Sequence, residues 1–283
     1  MSVAKRFYWE ERTTLEFDEL AAQDSIAILP VAATEQHGPH LSVATDSAIG
    51  RGMLECLRER IPGDISVSVL PLQAVGKSNE HHLAPGTLTL PTEALIASWL
   101  SLGECVHRAG LRKMLIVNSH GGNNPVMDIV ARELRVKLTM LVVTTQWNRF
   151  GFPDGAIDDT ERRYGVHAGK AETSLMLHFR PDLVRMSNLK NFVSASASLE
   201  ESFTHLRATA QHNMAWLIHD LNPDGAVGNA AAGTAAVGKA IAEHQVDGLV
   251  ELLRDMKEFD LDRLVRTLPG SSAATLSQAR LIA

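Results

Sequence analysis

Cysteine is almost missing from this sequence: Cys56 and Cys105 are the only two in 283 residues. One disulfide at most could form, too few for a stapled scaffold. Two small apolar side chains in a reducing compartment are expected instead. Basic runs are missing too. Lys and Arg number 27 against 33 Asp and Glu, a net charge of −6, so no surface is set up to track phosphates and nucleic acid is not an expected partner. No run approaches the roughly 18 consecutive apolar residues of a membrane span. Residues 1–13 (MSVAKRFYWEERT) lack the apolar stretch of a signal peptide. No membrane partner is expected, and the cytoplasm is the expected location. Composition breaks and internal repeats are absent as well. A single domain over residues 1–268 is expected, with a weakly structured tail at 269–283.

What remains is a chain rich in hydrophobic residues (45%) and in histidine, of which there are 12. Apolar runs of strand length alternate with longer segments of helical period. Strands are expected at residues 26–33 (IAILPVAA), 66–73 (SVSVLPLQ), 113–118 (KMLIVN) and 139–145 (TMLVVTT). Helices are expected at 46–60, at 92–109 with Gly110 as its stop, and at 124–137 with Asn124 as N-cap and Pro125 in the first turn. Further helices are expected at 168–179, at 199–220 and at 234–255. A polar loop fills 148–165, and a Gly/Ala stretch fills 224–233. This alternation implies an α/β fold, a three-layer αβα sandwich around a mostly parallel sheet. Such sheets bind ligands outside the carboxyl ends of their strands.

Four motifs sit where that rule points. Thr34-Glu35-Gln36-His37-Gly38-Pro39-His40 follows the first strand, and Asp46 lies just beyond it. Extended backbone puts Glu35 and His37 on one face. With Asp46 they make a donor set suited to a hard-to-borderline divalent cation, although Asp46 alone would read as a helix cap. Asn118-Ser119-His120-Gly121-Gly122-Asn123 ends the third strand, where His120 is placed as a ligand and the glycines permit close approach. His167-Ala168-Gly169-Lys170-Ala171-Glu172-Thr173 opens a helix. Glu172 alone could simply complement the helix dipole. Gly76-Lys77-Ser78-Asn79-Glu80-His81-His82, followed by Pro85-Gly86-Thr87, lines a pocket or is a polar surface loop. His40 and His82 receive no role.

In this order the motifs resemble those of the creatininase (creatinine amidohydrolase) family. The family's E-Q-H-G-x-H-L with trailing T-D stands here at residues 35–41 with Thr45-Asp46. Its N-x-H-G-G-N stands at 118–123, its H-A-G-x-x-E-T at 167–173, and its G-x-S-x-x-H…P-G-T at 76–87. The resemblance spans roughly residues 28 to 240, including a late Gly/Ala-rich segment in which Asn229 and Ala230 replace the usual acidic and proline positions.

The resemblance implies two divalent metal ions per chain, with Zn²⁺ first and Mn²⁺ or Fe²⁺ also accommodated. Glu35, Asp46 and His120 would hold one ion; His37, Asp46 and Glu172 would hold the other. His167 would move protons, with Glu172 also catalytic. Ser78, His81, Gly121 and Trp147 would face the substrate. It further implies a homo-oligomer, a hexamer, and hydrolysis of a small cyclic amide such as creatinine. Two departures bear on the substrate. Gly121 and Gly122 stand where the true creatininases carry a bulky residue and a Glu, and the tryptophans with which those enzymes close over creatinine near the third motif have no counterpart in Arg163-Tyr164-Gly165-Val166. A deformylase or a peptidase of the same family is the alternative, and a metal-binding homologue without activity is a third reading.

Overall fold

The computed structural model describes residues 6–265, so the tail expected at 269–283 lies outside the described residues. In chain order the elements are α1 (Phe17–Ala22), β1 (Ile26–Val31), α2 (Thr45–Arg60), β2 (Val67–Val69), α3 (Thr92–Arg108), β3 (Lys113–Asn118), α4 (Asn124–Leu138), β4 (Leu141–Gln146), α5 (Asp159–Tyr164), α6 (Lys170–Phe179), β5 (Asn191–Phe192), α7 (Ser196–Ser202), α8 (Ile218–Leu221), β6 (Gly228–Asn229) and α9 (Ala235–Glu258).

The four long-range strands pair in the order β2-β1-β3-β4, all parallel. Their alternation explains the two cores. Ile26, Ile28, Leu115 and Val117 point to the face covered by α2, α6 and α9, whereas Ala27, Leu29, Met114 and Ile116 point to the face covered by α3 and α4. β1 and β3, at the centre, are buried on both faces and read as continuous apolar runs. Pro30 sits in β1 at no cost to the ladder. Its carbonyl accepts from Gln73 N, so its amide edge faces the segment after β2, where strand pairing has ended.

Differences from the sequence reading cluster outside this core. The helix expected at 199–220 is only α7 and α8, separated by an irregular excursion. Ala210 and His212 take left-handed conformations there, and Trp216 Nε1 donates to the Ala208 carbonyl at 2.7 Å. Ala208, Ile218, Leu221 and Val227 gather into a small cluster of their own, which produced an apolar spacing easily taken for a helix face. The loop expected at 148–165 contains α5, capped by Asp158 through Glu161 N. Thr139 caps α4 in the left-handed region instead of starting β4. Asn124 does not cap α4; its Oδ1 accepts from Asn118 and Gln146. Cys56 and Cys105 are unpaired, and among the described residues no helix is long and apolar enough to cross a membrane.

Helix α9 matters to the site because it carries α6 on its back. Gly238 lies so close to α6 that a Cβ would collide with the Ser174 carbonyl. Gly238→Ala is expected to destabilise the fold by about 1–3 kcal/mol through overpacking. Urea unfolding would register this as a lower midpoint; an unchanged midpoint would mean the two helices separate freely.

Candidate metal centre

The motifs converge at the carboxyl ends of β1 and β3. Glu35 and His37 leave β1, Asp46 occupies the first turn of α2, and His120 follows β3. His167 precedes α6, and Glu172 stands in its first turn. Glu35, His37, Asp46 and His120 are all buried. Glu35 Oε1 lies 3.1 Å from His120 Nδ1, and Asp46 Oδ2 lies 3.6 Å from the same nitrogen. On the other side of Asp46, its Oδ1 is 3.3 Å from His37 Nε2, which is 3.9 Å from Glu172 Oε2. Asp46 therefore stands between two imidazoles, one on each carboxylate oxygen.

The backbone decides which ring nitrogens are available. His37 Nδ1 donates to the Glu35 carbonyl at 3.0 Å, and His120 Nε2 donates to the Lys77 carbonyl at 2.7 Å. Each ring thus turns its other nitrogen, Nε2 of His37 and Nδ1 of His120, towards carboxylate oxygens, where it carries a proton or, once deprotonated, offers a lone pair to a cation. Both oxygens of Glu35, Oδ2 of Asp46 and Nε2 of His37 are buried without a hydrogen-bond partner. Lone pairs facing one another repel unless a proton or a cation sits between them. The donor set, carboxylates with imidazoles, fits a divalent cation. Three groups, Glu35–Glu80–His120, His37–Asp46–Glu172 and Glu35–His37–His167, each bring three ligand atoms within 4.8 Å of one another.

Gln36 ties the surroundings together. Its amide nitrogen donates to His81 Nδ1 and to the Gly225 carbonyl, both at 2.8 Å, and its backbone carbonyl accepts from His167 Nε2 at 2.9 Å. With both amide hydrogens used, His81 presents Nε2 to Glu35 Oε1 at 3.3 Å. His167 presents Nδ1 to the same oxygen at 3.8 Å. The His167 ring lies against those of His37 and His81, each 4.3 Å away between centroids. His40 donates from Nε2 towards the Ala168 carbonyl and stacks on Phe192, holding the left-handed turn at Ala168. His82 is exposed and bonded to the Asn79 carbonyl.

Electrostatics follow from this crowding. Burial alone would lower His37 and His120, yet the facing carboxylates, Asp46 for the first and Glu35 for the second, raise both to about 10. Burial would raise Glu35, but His120, His81 and His167 hold it well below the usual carboxylate range. Burial pushes Glu172 up to about 7 against the pull of His37. Asp46 is also raised by burial. His40 and His81 are lowered by burial to about 4, and His167 is lowered well below its ordinary value by burial and by His37. Without a cation, protons on His37 and His120 balance the carboxylates.

The centre opens into a cleft of about 860 Å³ lined by Glu35, Asp46, His81, His120, Gly121, His167 and Glu172. Ser78 is fully buried beneath it, with Oγ 3.5 Å from His120 Nε2, and is not part of the cleft wall. Trp147 lines a separate compartment of about 230 Å³ that shares His120, Gly121 and Glu172 with the cleft. Besides Gln36, three contributors escaped the sequence reading. Glu80 lines the cleft, 3.5 Å from His120 Nε2. Trp216 and the segment around it form the far wall, with no local signal to announce them. Glu161 accepts from the backbone amides of Lys170 and Asn229, fixing the start of α6. Its D-D-T-E context is a helix-start signature that could have revealed α5.

Comparison with known proteins agrees with this geometry. A mycofactocin precursor peptide peptidase of Mycolicibacterium smegmatis is 29% identical over 83% of this chain and 87% of its own length. A creatinine amidohydrolase of Pseudomonas putida is 29% identical over 66% of this chain and 77% of its own. A crystal structure of a Bacteroides fragilis protein, provisionally described as a creatinine amidohydrolase, superposes with a TM-score of 0.71 at 26% identity, covering 91% of this chain and 98% of that one. The sequence profile of the family described as creatinine amidohydrolase matches residues 10–253, and the chain belongs to the creatininase family of amidohydrolases.

Proposed function

We propose that this chain hydrolyses the C–N bond of an amide with divalent cations held by Glu35, His37, Asp46, His120 and Glu172. The observation that carries the reading is the convergence of His37 Nε2 and His120 Nδ1, whose other ring nitrogens are held by backbone carbonyls, on buried carboxylates on both sides of Asp46. Bound cations, Zn²⁺ first and Mn²⁺ or Fe²⁺ also compatible with the donors, lower the pKa of water and polarise a carbonyl. The chain's own residues do the rest. His167, neutral at rest, accepts a proton at Nδ1 and returns it to the departing nitrogen, while Nε2 stays on the Gln36 carbonyl. Gln36 holds His81 and His167 in register through its amide and carbonyl.

The cleft favours an extended amide, such as a peptide or N-acyl group, over a small ring alone. Its volume of about 860 Å³ is drug-sized, and a Cβ on Gly121 would meet nothing within 4 Å. The similarity to a peptide peptidase supports the same preference. The second reading, a small cyclic amide such as creatinine, is favoured by the compartment of about 230 Å³ beside Trp147 and Glu172.

Three outcomes test this. Purified without chelators, the protein should carry close to two divalent ions per chain, and Asp46→Asn should lose most of them; elemental mass spectrometry reads both. No ions in the parent chain, and none after adding Zn²⁺, Mn²⁺ or Fe²⁺, would end the reading.

Cation affinity should rise with pH between 6 and 9. His37 and His120, raised to about 10, hold protons across that range, and a cation must displace them. Release of about two protons per loaded chain, measured in weak buffer, is expected. An affinity independent of pH would mean these nitrogens are not donors.

The substrate readings separate on a panel scored for released peptide, formate or ring-opened acid. For an extended substrate, Trp216→Ala should raise KM several-fold and Trp147→Ala should do little. The opposite order would favour the cyclic amide.

A further inference from the structure

Among the acidic groups at the centre, Glu80 is left without a part in the five-ligand arrangement. It sits on a short turn, Asn79–His81, pinned from several directions. Lys77 N donates to Asn123 Oδ1 and Ser78 N to Thr89 Oγ1, both at 2.9 Å, and His81 N closes on the Ser78 carbonyl. The turn therefore delivers the Glu80 carboxylate to a defined place on the cleft side of His120, 3.5 Å from Nε2. That nitrogen already donates to the Lys77 carbonyl at 2.7 Å, so Glu80 is not needed to orient the ring.

Two further observations give the carboxylate a purpose. Glu35, Glu80 and His120 bring one ligand atom each within 4.8 Å of one another. Glu35, fully buried, aims two unpartnered oxygens into that space. Gly122 then explains how Glu80 gets there. Its φ is not positive, so conformational freedom is not what the glycine supplies. A Cβ at 122 would collide with Glu80 Oε1, the Lys77 carbonyl and His120 Nε2, so the glycine supplies space. A carboxylate from one loop occupies room that the neighbouring loop leaves by lacking a side chain.

We propose that Glu80 is a further cation ligand, binding together with Glu35 and His120, and that Gly122 is the residue that admits it. This rests on the metal-centre reading above and adds a carboxylate to it. Two carboxylates and an imidazole at about 2.0–2.2 Å suit Zn²⁺ and tolerate Mn²⁺ or Co²⁺. The small movement needed is available, because the Glu80 side chain keeps 20% of its surface exposed to the cleft.

The test is a Co²⁺ titration of the full chain followed by visible absorption, which reports the ligands directly and needs no substrate. Glu80→Gln should weaken one of two sites by about tenfold or more and shift its absorption bands, leaving the other site unchanged. Gly122→Ala should reproduce that change, because the added Cβ displaces the carboxylate. Melting curves of the cation-free variants guard against misfolding. If both variants bind two Co²⁺ with parental affinity and spectrum, Glu80 is not a ligand and the five-residue centre stands alone. If the parental chain binds no Co²⁺, the metal-centre reading fails first and this inference with it.

Discussion

A carboxylate oxygen of Glu35 and Nδ1 of His120 face each other at 3.1 Å, and Nε2 of His37 faces Asp46 at 3.3 Å. Groups of this kind do not stay together in a dry interior unaided, because buried carboxylates and lone pairs are costly without a compensating charge. The facing carboxylates raise both rings to about 10, so two imidazolium protons hold the cluster in the cation-free chain. The surrounding structure keeps the donors at this spacing. Carbonyls of Glu35 and Lys77 fix the two tautomers, and the Gln36 carbonyl fixes a third at His167. These acceptors are backbone atoms at strand ends and turns, so the architecture of the sheet and the chemistry of the site are the same constraint.

The rigidity of that frame comes from both faces of the sheet. β1 is buried on each side and carries Glu35 and His37 just past its end. α6, carrying Glu172, is pressed against α9 at Gly238, and Glu161 ties its start to β6 by accepting from the amides of Lys170 and Asn229. Glu161 is itself packed against Gly165, Gly169 and Gly228, where any Cβ would intrude on its carboxylate. Residues 161–170 and the distant Gly228–Asn229 are thereby locked around one buried acid, and Glu172 inherits its position from them.

This division explains what could be read from the sequence. The alternating apolar runs give the sheet, because period two with both faces dry leaves a continuous hydrophobic signature. The residues at the strand ends, Glu35, His37, Asp46 and His120, stand out because polar groups directly after buried strands need partners. Glu80 did not stand out, since a turn rich in polar residues looks the same whether it lies on the surface or over a cation. Gln36 was hidden between its more conspicuous neighbours, its work lying in contacts to His81 and Gly225 that local spacing does not record. The helix expected at 199–220 failed for a related reason. Apolar residues there pack into a small separate cluster around left-handed turns, and single-sequence periodicity cannot tell that from a helix face.

The two regions that sequence reads worst are the ones that shape the cleft. The donors come from the parallel sheet and the helices packed on it, where packing permits little change. The opposing wall comes from residues 208–217, held by local bonds such as Trp216 to the Ala208 carbonyl rather than by the main cores. Variation in that wall costs the fold little, whereas variation at Glu35 or Asp46 would strand an unpaired buried charge. The donor residues lie where burial is deepest, and the cleft wall opposite them lies where the chain is least regular.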